Sequence, residues 1–325
     1  MPLLTPIIAG PTAGGKSALA VALALRVRAG ALASHAIKDA EIVTADAFQV
    51  YRWMDIGTAK PTPAERCGVV HHLIDIVEPT ERFSVSQWLA AATEAIAGVR
   101  ARGNLPIVVG GTHLYVKALL DGLFEGPGAD GPLRAELLAL PPAVLRAELE
   151  RIDPVAAARL HPNDLRRTVR AIEIYRLTGR PISELQTQWD QTRSDTPPEF
   201  LTVLLDWPVE AINRRINERV RQMMARGLEA ETQGLLARGV LGPQAREALG
   251  YKQLARAIEA GRAIGDAVEE IKIETRRFGK NQRTWLRRLR TTPGVMCIEV
   301  DVDRESEINA WAVRIIQRLM REEHV

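Results

Sequence analysis

The stretch Gly10-Pro11-Thr12-Ala13-Gly14-Gly15-Lys16-Ser17 constrains this chain more than any other. It has the form G-x-x-x-x-G-K-S. An apolar run with Leu3, Leu4, Ile7 and Ile8 precedes it and predicts a strand. An alanine- and leucine-rich segment, 18–27, follows it and predicts a helix. Strand, glycine loop and helix in that order describe a phosphate-binding loop. Gly10 and Gly15 let the backbone curl so that N–H groups point inward, and the helix N-terminus adds the positive end of its dipole. Lys16 supplies a cation for the outer phosphates, and Ser17 a hydroxyl for Mg2+. The competing reading, a glycine turn with a chance Gly-Lys-Ser, leaves the flanking strand and helix unexplained. The loop names a di- or triphosphate but no reaction.

Further β-branched runs occur at Ile42-Val43-Thr44, Ile107-Val108-Val109, 201–205 and 295–300, with helical patterns such as 85–102 between them. The alternation predicts an α/β fold, a P-loop-type parallel sheet flanked by helices. Such sheets bind ligands at the C-terminal ends of their strands. That rule singles out the 10–17 loop, Asp46 and Gly110-Gly111-Thr112. The pattern changes near residue 122. Gly126-Pro127-Gly128 and Pro141-Pro142 mark turns, and 133–185 shows helical periodicity only. The expectation is an all-helical insertion domain at 123–198, inside a catalytic core made of 1–122 and 199–325. Long helical segments are expected at 209–238 and 245–261, and a loose loop at 28–38.

With 325 residues, 46% of them hydrophobic, the chain can bury a sizeable core. No apolar run reaches membrane-spanning length, so no membrane partner is expected. The first residues lack a basic leader and run directly into the phosphate loop. Cys67 and Cys297 lie far apart without metal-ligand spacing, which fits reduced thiols and a cytoplasmic location. A monomer is expected. Net charge is only +3, but it is uneven: 271–290 carries eight Lys or Arg against one Glu. A second basic run contains Arg166, Arg167, Arg170, Arg176 and Arg180. A basic helix face is commonly just solvated. Here Phe278 and Trp285 interleave with the charges, and Asn281 and Gln282 offer hydrogen bonds to base edges, a pattern that points to nucleic acid.

Asp46, just after the second strand, has three available roles. It can hold magnesium through water, accept a proton from a nucleophile, or cap the next turn. Residues 46–61, D-A-F-Q-V-Y-R-W-M-D-I-G-T-A-K-P, resemble the signature of bacterial tRNA dimethylallyltransferases. The likeness continues in His71-His72-Leu73-Ile74-Asp75, Phe83-Ser84-Val85, Gly110-Gly111-Thr112-His113-Leu114-Tyr115 and His161-Pro162-Asn163-Asp164. It closes with Gly250-Tyr251-Lys252-Gln253 and the run from Lys280 to Arg287. The motifs stand in family order and span 7–290.

The resemblance implies transfer of a dimethylallyl group from dimethylallyl diphosphate to the exocyclic 6-amino group of the tRNA adenosine just 3′ of the anticodon (position 37). Diphosphate is the leaving group. Asp46 would accept the amine proton, Thr112 would bond near the diphosphate, and Arg219 would clamp it, with Lys16, Ser17, the loop amides and Mg2+ stabilising its charge. Contacts to the tRNA anticodon stem-loop would come from Asp46, Ala47, Phe48, Gln49, Thr112, Arg134, Arg166, Arg167, Arg170, Arg246, Gly250, Tyr251 and Lys252. Others would come from Lys280, Asn281, Gln282, Arg283, Trp285 and Arg287.

The chain departs from the pattern at Ala47 (usually Ser), Trp53 (Gly), Arg166 (Gln), Arg221 (Asp) and Ser17 (Thr). Ala47 puts one contact to the target nucleotide in doubt. Two other readings share the loop and the acid. A P-loop small-molecule kinase would not need the basic aromatic helix, and an adenylate isopentenyltransferase would not need an anticodon-stem surface.

Overall fold

The structure, a computed structural model, describes residues 3–123, 126–186, 199–292, 294–301 and 307–321. Parts of the expected insertion, 124–125 and 187–198, lie outside the described residues. The strands are β1 (Thr5–Ala9), β2 (Ala40–Ala45), β3 (His71–His72), β4 (Leu105–Gly110), β5 (Phe200–Asp206) and β6 (Met296–Glu299). They form one sheet in the order β3-β2-β4-β1-β5-β6, with every neighbouring pair parallel. The α/β class expected from the alternating pattern is the one observed. β3 was not expected, because two residues are too short to show a period.

Alternate residues of each strand point to opposite faces, and both faces are covered, as parallel sheets require. Ile8, Ile42, Ile107 and Val203 pack on one side against Leu19, Leu23, Trp311 and Ile315 from the Lys16–Arg26 and Ile308–Arg321 helices. Ile7, Val43 and Val108 pack on the other against Trp88 and Ile96 of the Val85–Ala101 helix, with Tyr115 and Tyr251. Trp88 is fully buried and stacks on Tyr115 at 4.5 Å. Its Nε1 donates to Thr44 O at 3.0 Å, which fixes the C-terminal end of β2.

The chain divides into two compact units, Met1–Leu120 with Pro198–Val325, and Asp121–Pro197. The described part of the second unit contains the helices Gly131–Leu138, Pro142–Ile152, Pro154–Arg159, Leu165–Thr178 and Ile182–Leu185, and no strand. Its own core holds Leu137, Leu145, Leu149, Val169 and Ile172. No helix among the described residues is long and apolar enough to cross a membrane.

Three local expectations are corrected. Segment 209–238 is two helices, Val209–Ala225 and Leu228–Ala237, because Gly227 takes φ 97° and turns the chain between them. Segment 245–261 is a short 3-10 turn, Ala245–Glu247, followed by the Tyr251–Glu259 helix. Residues 28–38 are not a loose loop: a wide helical turn, Val27–Ala31, and a 3-10 turn, Ala33–His35, occupy most of them.

At the end of β4 the backbones leave no room for a side chain. A Cβ on Gly110 would lie 2.0 Å from Ala45 O. Gly110→Ala is therefore expected to force β2 and β4 apart and to cost at least the 1–3 kcal/mol or so typical of overpacking. A denaturant melt of the variant, compared with the parent chain, measures it.

Candidate active site

The register aligns Ala9 with Gly110 and Gly110 with Ala45. The residues that follow, Gly10, Gly111 and Asp46, therefore leave the sheet side by side, with strands about 4.8 Å apart. Trp207, just after β5, leaves at the same edge. The structure thus brings together the 10–17 loop, Asp46 and Thr112.

The loop is held from outside by its carbonyls. Lys16 Nζ donates to Pro11 O at 2.7 Å, Arg215 Nε to Ala13 O at 2.9 Å and Trp207 Nε1 to Gly14 O at 3.1 Å. The Arg215 guanidinium also lies over the Trp207 ring, 4.8 Å from its centroid. With these carbonyls turned outward, the amides of Lys16 and Ser17, at the start of their helix, have no acceptor in the described chain. Sequence reasoning missed Trp207 and Arg215. Trp207 follows a strand at the ligand edge, and Arg215 lies one helical turn before Arg219, so both signals were available.

Burial, followed by the charge of Arg219, pushes the Lys16 pKa down to about 7, against the opposite pull of Asp46. Burial also pushes Arg219 below its ordinary value, opposed by Asp46 and Glu65. Two cations and one carboxylate thus share a desolvated space, which an incoming polyanion would neutralise.

Asp46 Oδ1 accepts from the amides of Phe48 at 2.9 Å and Gln49 at 3.1 Å, so one oxygen caps the turn. No described residue donates to Oδ2, which leaves the carboxylate with a free acceptor. Thr112 Oγ1 accepts from Ala47 N at 3.0 Å and steadies the same turn. Gln49 is buried and donates through Nε2 to Thr58 O and Ala59 O, at 3.1 and 3.3 Å. Three cavities meet around these groups. One of about 80 Å³ is lined by Lys16, Ser17, Asp46 and Arg219. One of about 490 Å³ extends past Lys60, Arg215 and Arg226. One of about 700 Å³, richer in apolar surface, extends past Thr112, Val220, Met223 and Phe278. Arg219 lines all three.

Several residues expected at an RNA surface have partners within the chain. Gln282 is 2% exposed. Its Oε1 accepts from Thr12 N at 2.7 Å, and its Nε2 donates to Gly111 O at 2.9 Å, so it ties the phosphate loop to the end of β4. Tyr251 is fully buried, and its hydroxyl donates to Glu231. The Glu231 carboxylate also accepts from the amides of Asp55, Ile56 and Gly57, a structural role the sequence did not reveal. Gly250 is buried and its amide donates to Gln253. Arg134 and Arg170 both pair with Glu173, whose side chain is wholly buried. Arg246 pairs with Glu259, and Lys252 with Glu247. Trp285 is partly buried and stacks on His113. Arg283 is partly buried, with Nη1 unpartnered, and burial lowers its pKa. Arg166, Arg167, Lys280, Asn281 and Arg287 are exposed. Helical periodicity could not separate these groups, because which face of each helix is covered depends on distant segments.

A family model described as IPP transferase matches residues 49–289. The chain belongs to the IPP transferase family. Among its relatives in that family is a tRNA dimethylallyltransferase of Syntrophobacter fumaroxidans, 45% identical over 287 residues that cover 86% of this chain and 80% of that protein. The fold is similar to that of the full-length tRNA isopentenylpyrophosphate transferase of Bacillus halodurans. The TM-score is 0.66 and the identity 35%, with all of both chains covered. A eukaryotic dimethylallyltransferase acting on tRNA superposes with TM-score 0.79 at 26% identity, covering 97% of this chain and 78% of the other.

Removing the Gln282 side chain leaves Thr12 N and Gly111 O without their partner. Gln282→Ala is expected to lower stability by about 1–3 kcal/mol while leaving the salt dependence of RNA binding unchanged. Melting curves and a salt titration check the two halves. A Lys16 pKa near 7 also predicts proton uptake when inorganic diphosphate binds at pH 8, because the anion draws a proton onto a largely neutral amine. Below about pH 6 the amine is already charged and the uptake vanishes. Calorimetry in buffers of different ionisation enthalpy reads the uptake, and Lys16→Met is expected to abolish it.

Proposed function

We propose that this chain transfers a dimethylallyl group from dimethylallyl diphosphate to the 6-amino group of the tRNA adenosine at position 37, just 3′ of the anticodon. The observation that carries the reading is the placement of Asp46 between the phosphate loop and the 700 Å³ cavity. A diphosphate on the loop puts its allylic carbon toward the acid, and a base in the larger cavity puts its amine there.

In the reaction, the amine nitrogen bonds to the allylic carbon as the C–O bond to diphosphate breaks. The bonding electrons leave with the diphosphate. Its growing charge meets Lys16, Arg219 and the free amides at the helix start, groups worth most where charge develops. The amine loses a proton as its lone pair is drawn out of the ring, and the free oxygen of Asp46 takes it. Oδ1, held by two amides, keeps the carboxylate aimed.

The donor set suits Mg2+, which prefers oxygen ligands and keeps several waters. Ser17 and Asp46 line one cavity, and no cluster of three or more His, Cys, Asp or Glu that could hold a metal occurs among the described residues. Ser17, together with substrate phosphate oxygens, would hold the ion, which would supply further positive charge at the leaving group.

The exposed cations Lys280, Arg287 and Arg166, with Arg167, which also pairs with Asp164 at 3.5 Å, would meet RNA phosphates. Free Cys67 and Cys297 accord with action in the cytoplasm, where tRNA is found.

Incubation with dimethylallyl diphosphate and an anticodon stem-loop, followed by nucleoside mass spectrometry, tests the reading. Prenylated adenosine is expected, while free AMP at equal concentration stays unmodified; the reverse preference would overturn the tRNA assignment. Asp46→Asn keeps the shape and loses the base, so it is expected to bind both substrates and lose roughly 100-fold or more in rate.

A further inference from the structure

His113 begins the helix that follows β4, one residue beyond Thr112. Its imidazole is stacked with two rings of the basic Ile264–Arg290 helix. The centroid of Trp285 is 5.0 Å away at an interplanar angle of 24°, and that of Phe278 is 6.4 Å away at 20°. Those two residues are seven apart, about 10.5 Å along a helix. Seven residues make nearly two turns, so both rings stand on one face of the helix, and His113 lies against them. The imidazole is therefore packed against both rings. His113 lines the same 700 Å³ cavity as Asp46, Thr112 and Phe278.

Stacking alone does not account for an imidazole. A phenyl or thioether side chain would pack there without introducing polar atoms. Here Nε2 is buried with no hydrogen-bond partner, and no described residue bonds to Nδ1. A buried polar atom left unmatched is destabilising unless a ligand or water satisfies it. Burial and the nearby charge of Lys16 both push the His113 pKa down, which keeps the ring neutral. A neutral imidazole has one N–H donor and one acceptor nitrogen. It also adds no positive charge beside a carbon that is losing an anionic leaving group.

We propose that His113 is a positioning residue for the acceptor base, donating a hydrogen bond from its ring edge to a ring nitrogen of the adenine while Asp46 receives the exocyclic amine. The two contacts together would fix the purine in its plane, whereas about a single contact the base could pivot. N1 and N7 of adenine, the ring nitrogens that flank the amine, are both acceptors and fit such a donor; at N1, which carries a proton in guanine, the contact would also reject that base. The inference rests on the proposed function of the same site.

The test uses the full chain and anticodon stem-loops carrying adenosine, 1-deazaadenosine or 7-deazaadenosine at the acceptor position. The parent chain is compared with His113→Phe, which keeps the stack and loses both nitrogens, and with His113→Gln, which restores a side-chain N–H. The parent is expected to lose roughly 3- to 10-fold in kcat/KM on one of the two deaza RNAs. His113→Phe is expected to show that same loss already on adenosine, with no further loss on that deaza RNA. His113→Gln should recover part of it. KM for dimethylallyl diphosphate should not move, and Tm of His113→Phe should not fall, as it would if His113 were merely structural. If His113→Phe matches the parent on adenosine, or keeps the full deaza penalty, the role of His113 is overturned. If the parent transfers nothing to the adenosine stem-loop, the functional reading fails and this inference fails with it.

Discussion

β4 lies between β2 and β1, and Gly110 pairs with Ala45 on one side and Ala9 on the other. The rest of the site depends on that register. Three parallel strands end level, so three loops of unrelated sequence emerge as neighbours. A slip of one residue would also turn Ile7, Val43 and Val108 toward the wrong helices. The hydrophobic core and the placement of Asp46 relative to the phosphate loop are therefore maintained by the same constraint.

The loops are then braced by buried polar contacts rather than by packing alone. Gln282 joins Thr12 to Gly111, Thr112 holds the turn at Asp46, and Glu231 with Tyr251 holds residues 55–57. Each brace uses a side chain from a segment far away in sequence. They organise the amides and leave Arg219, one oxygen of Asp46 and Lys16, whose Nζ also holds Pro11 O, together in a desolvated space. The depressed pKa of Lys16 is the electrostatic sign of that arrangement: a site short of negative charge until a polyanion arrives.

The Ile264–Arg290 helix has a double use. Its buried stripe carries Ile271, Gly279, Gln282 and Leu286, while Lys280 and Arg287 stay exposed. Phe278 and Trp285, which interleave with the charges in the sequence, both stack on His113. A helix that reaches the phosphate loop with one face and solvent with the other can couple the position of an RNA to the geometry of the reacting groups.

The α/β class, the loop, the strand that presents Asp46 and the family motifs are all legible in the amino-acid order. These are local signals: β-branched runs, a glycine spacing, an acid at the end of a strand. It did not reveal β3, the break at Gly227, or the division of the arginines and aromatics between surface and interior. The resemblance places Arg134 and Arg170 among the RNA contacts, and in the structure both also pair with buried Glu173. Gln282 and Tyr251 read as surface contacts, yet both are buried. Only tertiary structure decides such cases. A side chain's charge and donor atoms are written in the sequence, but whether water or a distant backbone amide meets them depends on which segments fold against it.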